Sequence, residues 1–278
     1  MKIQKLRAAL ATAAALVLAS SVLAAAGAQA STLPTVSIAI TSSTATVTGP
    51  LESGGVNIVS SDTGVKEAAV IVFLLKPGVS VAEAEAFSKE KKAKDPNSAG
   101  KLGSIVFDTE VNPGQNSEAQ TTLAPGQYIV LVGAGEGEAQ LRTHFTVATA
   151  KAPVTLPTPQ ATIRSIEFGF RGPSTLHDGE LVRFENEGFL VHMDIAIQAK
   201  SAKGAKQLAK LLLAGKEKQA HKLAVGAVTF AGPLSNGAYQ QETIAAKPGW
   251  YVQACFMDTQ DGRSHTVLGM ERVIKIVK

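Results

Sequence analysis

Hydrophobic positions along this chain gather in short dense runs separated by turn residues. AAVIVFLL (68–75), QYIVLV (127–132), DIAIQ (194–198), WYVQACF (250–256) and RVIKIV (272–277) are rich in Val, Ile and aromatic residues and are bounded by Gly, Pro, Asn or Asp. Runs of that length and composition read as strands, and several of them with regular turn punctuation predict a β-sandwich. Two stretches follow the helical period instead. Ser80-Val81-Ala82-Glu83 has the form of a capping box, in which a hydroxyl and a carboxylate satisfy free N–H groups at a helix start. AKGAKQLAKLLLAGKEKQAHKLA (202–224) places Leu208, Leu211 and Leu212 on one face and Lys206, Lys210, Lys216, Lys218 and Lys222 on the other. Its leucine face predicts a helix packed on a sheet, with the lysine face in water.

The pattern occurs twice. KAPVTLPTPQ (151–160) holds three prolines in ten residues and reads as an extended linker. On each side of it, strand-like runs flank one helical stretch, a Pro-Gly-x-Tyr strand, a turn and a closing strand. Pro125-Gly126-Gln127-Tyr128 aligns with Pro248-Gly249-Trp250-Tyr251, and Gly64 with Gly188, at separations of about 123 and 124 residues. The division expected is a leader over 1–30, a first unit over 31–150, the linker over 151–160 and a second unit over 161–278. The leader reading rests on Lys2, Lys5 and Arg7, the apolar run after them and Ala28-Gln29-Ala30 before Ser31, the signature of a secretory signal peptide. A secreted or periplasmic location is therefore expected. No later apolar run reaches the length of a membrane span.

Composition adds little. A formal net charge of +4 is mild, and no RNA- or DNA-binding motif accompanies it, so nucleic acid is not an expected partner. The basic face of 200–222 could contact an anionic surface. The single cysteine, Cys255, cannot form an intramolecular disulfide; in an exported protein it implies metal ligation, an intermolecular bridge or simple burial.

Pro248-Gly249-x-Tyr251-x-x-x-Cys255 resembles the strand that delivers the copper cysteine in cupredoxin (blue-copper) proteins. His265-x-x-x-x-Met270 is similar to the closing ligand pair of their plastocyanin type, and Asn186-x-Gly188-x-x-x-His192 to the strand that supplies the first histidine. The resemblance implies an all-β chain of two tandem cupredoxin-like Greek-key sandwiches, each with one inserted helix. It further implies copper held by His192, Cys255 and His265 in a plane with Met270 axial, a set suited to copper cycling between its two oxidation states. A redox or surface protein would then be the partner. The first unit has Ala68 and Val132 where the second has His192 and Cys255, so it is expected to hold no metal.

Two expectations point the other way. Asp261-Gly262 is a strong two-residue hairpin signal; a regular hairpin would set His265 opposite Asp258, roughly 10 Å from Cys255 at about 3.3 Å per residue. Strand alternation also puts Val191, Met193, Ile195 and Ile197 on the core face and His192 on the other, with Asp194 and Ala196. On that reading the protein is a metal-free extracytoplasmic binding module in which Cys255 and Met270 fill a core. Enzymatic readings are thinner. Gly133-Ala134-Gly135-Glu136-Gly137 is followed by the strand LRTHFTV where a nucleotide loop needs a helix. No Gly-x-Ser-x-Gly elbow or His-Glu-x-x-His helix occurs. A non-enzyme is expected.

Overall fold

The computed structural model describes residues 33–65, 68–90, 95–134 and 140–278. The leader predicted over 1–30 and the Gly135–Gly137 part of the glycine-rich loop lie outside them. The described chain is mostly β. Before the proline-rich stretch come β1 (Thr35–Ile40), β2 (Ala45–Thr48), β3 (Gly54–Asp62), β4 (Ala68–Leu75), β5 (Gly103–Val111), β6 (Asn116–Leu123), β7 (Gly126–Ala134) and β8 (Leu141–Val147). After it come β9 (Ala161–Ile166), β10 (Gly169–Arg171), β11 (Thr175–His177), β12 (Leu181–Asn186), β13 (His192–Ala199), β14 (Ala224–Leu234), β15 (Tyr239–Thr243), β16 (Gly249–Ala254) and β17 (Glu271–Val277). The helices are α1 (Val81–Ser88), α2 (Ala202–Leu213) and α3 (Glu217–His221), with 3₁₀ turns at Pro96–Lys101 and His265–Leu268.

The strands form a four-stranded sheet β5-β4-β7-β8, a five-stranded sheet β11-β17-β16-β13-β14, and an eight-stranded sheet β10-β9-β12-β15-β6-β3-β1-β2. The first two repeat one another, because β14-β13-β16-β17 follows the same order as β5-β4-β7-β8. Small details repeat as well. Tyr128 and Tyr251 each donate a phenolic hydrogen bond to the carbonyl four residues back, on Ala124 at 2.8 Å and on Lys247 at 2.6 Å. Asp62 and Asn186 each accept the N–H two residues on, from Gly64 and Gly188, both at 2.8 Å.

Apolar residues fill the spaces between the sheets. One core joins Val36, Ile38, Ile58 and Leu123 of the large sheet to Val70, Phe107, Tyr128 and Val132 of the four-stranded sheet. A second joins Ile163, Val182 and Phe184 to Ala196, Phe230, Tyr251 and Ile274 of the five-stranded sheet. A third lies on the outer faces of the two smaller sheets, where Phe73 and Ile129 join Met193, Ile195, Leu208, Leu212 and Cys255. Both faces of β13 are thus covered, and every residue from His192 to Ile197 is buried.

The expected alternation holds, but the reading of one face alone as core does not. Val191, Met193, Ile195 and Ile197 do share an apolar face, but it lies under α2, while the His192 side is also buried, and His192 itself is 1% exposed. The pairing of β13 with β14 shifts register between His192 and Asp194 and again between Asp194 and Ile195. The extra residues lie on β14, around Gly232-Pro233, and proline is confined to edges and bulges because it donates no ladder bond. The irregularity is in β14; along β13 His192 keeps the face it shares with Asp194 and Ala196.

The helical stretch over 202–224 is a second correction. It is two helices, because Gly215 takes φ +68° after α2, a left-handed conformation that closes a helix and is open to glycine. The box at Ser80–Glu83 forms as predicted, with the hydroxyl accepting the Glu83 N–H at 3.2 Å and the carboxylate accepting the Ser80 N–H at 2.8 Å. The proline-rich stretch is extended and anchored: the Gly55 N–H donates to Val154 O at 2.7 Å, and the Gln241 amide to Pro157 O at 3.0 Å. Among the described residues no helix is long and apolar enough to cross a membrane.

Candidate metal centre

Three side chains predicted as ligands converge at one end of the five-stranded sheet. Cys255 is the first residue past β16, His192 opens β13, and His265 opens the 3₁₀ turn His265–Leu268. The Cys255 sulfur lies 3.4 Å from Nδ1 of His265 and 3.8 Å from Nδ1 of His192, and the two ring nitrogens are 3.1 Å apart. Among the described residues this is the group of His, Cys, Asp or Glu whose ligand atoms lie close enough to share an ion. All three are buried.

The separation of roughly 10 Å expected for Cys255 and His265 is therefore wrong, and so is the two-residue hairpin behind it: the chain turns through a three-residue loop, Gln260 to Gly262, closed by Thr259 and Arg263. Gly262 takes φ +80°, its N–H donates to Thr259 O, and the Thr259 N–H to Arg263 O, each at 2.8 Å. Asp258 then pairs with Ser264 instead of His265, a register one residue from the expected one. His265 then donates its N–H to Met257 O at 2.8 Å and enters the 3₁₀ turn, which folds its ring back over the sulfur. The extended-strand count failed because β16 ends at Ala254 and residues 255–257 have left the strand.

Met270 closes the same loop. Its N–H donates to His265 O at 2.9 Å and its carbonyl accepts the Cys255 N–H at 3.2 Å. Its side chain is fully buried in the apolar cluster that holds Cys255, Met193 and Met257. Gly269, at φ +98°, makes the turn between the 3₁₀ segment and Met270. The sulfur of Cys255 accepts the Met193 N–H at 3.4 Å, which orients the thiol from the β13 side.

Burial sets the charge state of the trio. It lowers His192 to about 4, against an opposing pull from Glu167. It lowers His265 to about 4, assisted by His192 and opposed by Glu167. It pushes the Cys255 thiol up to about 12. Near neutrality the pocket holds two neutral imidazoles and a neutral thiol. Both Nε2 atoms are buried without a hydrogen-bond partner, a costly arrangement for polar groups in an apolar setting.

The residues fit a soft metal ion. Ligands at roughly 2.0–2.3 Å from a shared ion, as for zinc, stand roughly 3.3–3.9 Å from one another. Both sulfur–nitrogen separations lie in that range, and the two nitrogens would open by a few tenths of an ångström. A thiolate with two imidazoles and a thioether nearby is a donor set for copper.

Several neighbours of the site carry no sequence signal. Glu167 and Phe168 form the two-residue turn between β9 and β10, where Gly169 pairs with Ile166. Phe168 has φ 55°, the positive value of a non-glycine residue among the described residues, and its ring meets His265 edge-on at 5.2 Å. Neither is Gly, Asn or Asp, so no turn chemistry announced them. Gln253 is buried and bonded on both sides: its amide donates to Asp194 at 2.5 Å and its carbonyl accepts from Arg272 at 2.6 Å. Burial raises Asp194 to about 7, with Arg272 and Gln253 pulling the other way. In the first half, Ala68 and Val132 at the equivalent places are buried core residues.

No protein-family model and no curated protein matches the chain. Solved structures with partial likeness include auracyanin B, at 15% identity over 44% of this chain and 93% of that one, with a TM-score of 0.27. They also include the dithionite-reduced auracyanin of Roseiflexus castenholzii, at 17% identity over 42% of this chain and 95% of that one, with a TM-score of 0.26. The copper-containing nitrite reductase of Thermus scotoductus SA-01 shows 12% identity over 88% of this chain and 67% of that one, with a TM-score of 0.25. Scores of this size decide nothing about this chain, and the site rests on its own geometry.

Proposed function

We propose that the protein is an exported copper protein of two tandem cupredoxin-like Greek-key sandwiches. Its second half binds copper for one-electron transfer or copper handling, and its first half is a metal-free copy of the scaffold. The observation that carries this reading is the convergence of Cys255 Sγ with Nδ1 of His192 and of His265, from three separate places in the chain, in one buried pocket. His192, Cys255 and His265 would hold the ion, with Met270 as a further donor. Copper so bound supplies a centre that gains and loses one electron.

The protein's own contribution is to hold these groups before the ion arrives. Cys255 is fixed by the Met193 N–H at its sulfur and by Met270 O at its own N–H. His265 is fixed by backbone bonds to Met257 and Met270. The apolar shell excludes water and keeps both imidazoles unprotonated. The thiol gives up its proton when copper binds, because the thiolate is the ligand form. On this reading the protein acts through a redox partner and not as an enzyme. The exposed Lys206, Lys210, Lys216, Lys218 and Lys222 offer an acidic partner or anionic surface a long-range attraction.

The metal-free reading takes Cys255 and Met270 as core filling. The two buried, unpartnered ring nitrogens count against it, since an apolar core of equal volume would avoid their desolvation cost. The test is reconstitution with Cu(II). An intense visible thiolate-to-copper band with one copper per chain is expected, and Cys255→Ser should abolish the band while the variant stays folded. A colourless protein without stoichiometric copper would remove the proposal.

A further inference from the structure

We infer that Glu167 is a positioning residue whose fixed carboxylate sets the tautomer of His192, leaving Nδ1 unprotonated and turned toward Cys255 and His265. Its purpose rests on the copper reading; its test does not.

Glu167 is held in place by the backbone. Its Oε1 accepts the N–H of Phe189 and, at 2.9 Å, the N–H of Leu190. The same oxygen lies 3.6 Å from Nε2 of His192, which has no other hydrogen-bond partner. That distance is longer than a full hydrogen bond, so the effect is one of charge. A neutral imidazole carries its proton on one nitrogen or the other, and the tautomer is set by what each nitrogen faces. A negative oxygen opposite Nε2 favours N–H there and disfavours a lone pair.

Gly188 makes the approach possible. A Cβ at that position would stand 2.6 Å from His192 Nε2 and 2.9 Å from Glu167 Oε1, wedged between the two. The glycine that aligned with Gly64 in the repeat thus has a second use in this half of the chain.

His265, on which Glu167 acts only at longer range, has no such contact among the described residues. Its Nε2 is buried without a partner, while its Nδ1 lies 3.1 Å from Nδ1 of His192. Two ring nitrogens that close need one proton between them. With His192 bare at Nδ1, His265 carries that proton on its own Nδ1. The metal-free pocket is therefore half preset. His192 is already in its ligating tautomer, and His265 must exchange a proton on Nδ1 for one on Nε2 when an ion arrives.

The experiment is long-range ¹⁵N–¹H correlation on the metal-free, ¹⁵N-histidine-labelled protein near pH 7, with copper(I) competition titration beside it. His192 should show the Nε2–H signature and His265 the Nδ1–H signature. Glu167→Ala should move His192 toward Nδ1–H and weaken copper(I) about tenfold, the usual cost of losing such a partner. Glu167→Gln, which keeps an oxygen for Phe189 and Leu190, should fall between. Glu167 is partly exposed, so both variants should keep the wild-type circular dichroism. A wild-type His192 protonated at Nδ1 would overturn the inference. So would Glu167→Ala with an unchanged tautomer, whatever its affinity, since the role would then be purely structural. A wild type that takes up no copper would sink the metal reading and leave the tautomer measurement standing.

Discussion

Tyr128 and Tyr251 show how far one residue type can be read at two positions a repeat apart. Each phenol is buried and donates to a carbonyl four residues back. Burial pushes Tyr128 up to about 12, with its bond to Ala124 pulling down, and burial with Asp178 pushes Tyr251 up to about 12. Both are acids whose folded value exceeds the ordinary 10.0, so the stability they contribute is present below pH 10 and is lost between about 10 and 12. Alkaline titration followed at the phenolate band should show these two tyrosines ionising near 12, together with unfolding. Ionisation of both near 10 in a folded protein would contradict their burial. Met270 makes a second prediction at this scale. Leucine conserves its volume, so Met270→Leu should cost under about 1.5 kcal/mol in the metal-free protein. It should nonetheless shift the visible copper band and the reduction potential, because the thioether is gone. An identical spectrum and potential would remove Met270 from the ligand set.

At the scale of elements, the site depends on a loop that leaves β16, turns at Gly262, forms a 3₁₀ segment and re-enters the sheet at β17. Gly269 is its tightest point, with φ +98° between the two backbone bonds that tie Met270 to His265 and Cys255. A side chain there is strained by about 1–3 kcal/mol. Gly269→Ala should therefore lower the melting temperature by several degrees. It should also weaken copper binding beyond the loss of stability, because the strain is relieved by moving His265 and Met270. Wild-type copper affinity in a destabilised variant would show that the loop is not what sets the site. The element scale also shows what the residue pattern carried. The capping box and the main strands were legible because each is specified by neighbours in sequence, as was the presence of a turn at Gly262, though not its register. The break at Gly215, the bulge opposite His192 and the β9–β10 turn were not, because each is imposed by a partner strand or by helix packing.

For the whole molecule, the large sheet runs across both halves through a single register pair, Gln241 with Gln120. Gln241 is fully buried. Its amide donates to Gln120 at 2.9 Å and to Pro157 O at 3.0 Å, and its oxygen accepts from Arg183 at 2.9 Å. Alongside, β5 and β14 are joined by Ser235, whose N–H donates to Ile105 O at 3.0 Å and whose hydroxyl accepts the Ile105 N–H at 2.9 Å. Gln241→Ala leaves several buried partners unsatisfied and should cost about 2–4 kcal/mol, on the order of 1–3 kcal/mol per orphaned group. Calorimetry should show one transition in the wild type and two in the variant as the halves uncouple. Two separated wild-type transitions, unmoved by the substitution, would show that the seam carries no coupling.

The sequence by itself determined the β class, the repeated order of strands and the four residues worth watching. These follow from hydrophobic period, turn chemistry and residue identity, all local properties of the chain. Whether His192, Cys255 and His265 meet was decided by tertiary structure alone, since convergence depends on a chain that leaves its strand one residue before the cysteine, and a 3₁₀ turn that folds a ring back by several ångströms. Glu167 belongs wholly to that second category. Nothing in its sequence neighbourhood marks it, and only the packing of the β9–β10 turn against the loop before β13 brings its carboxylate to the far nitrogen of His192.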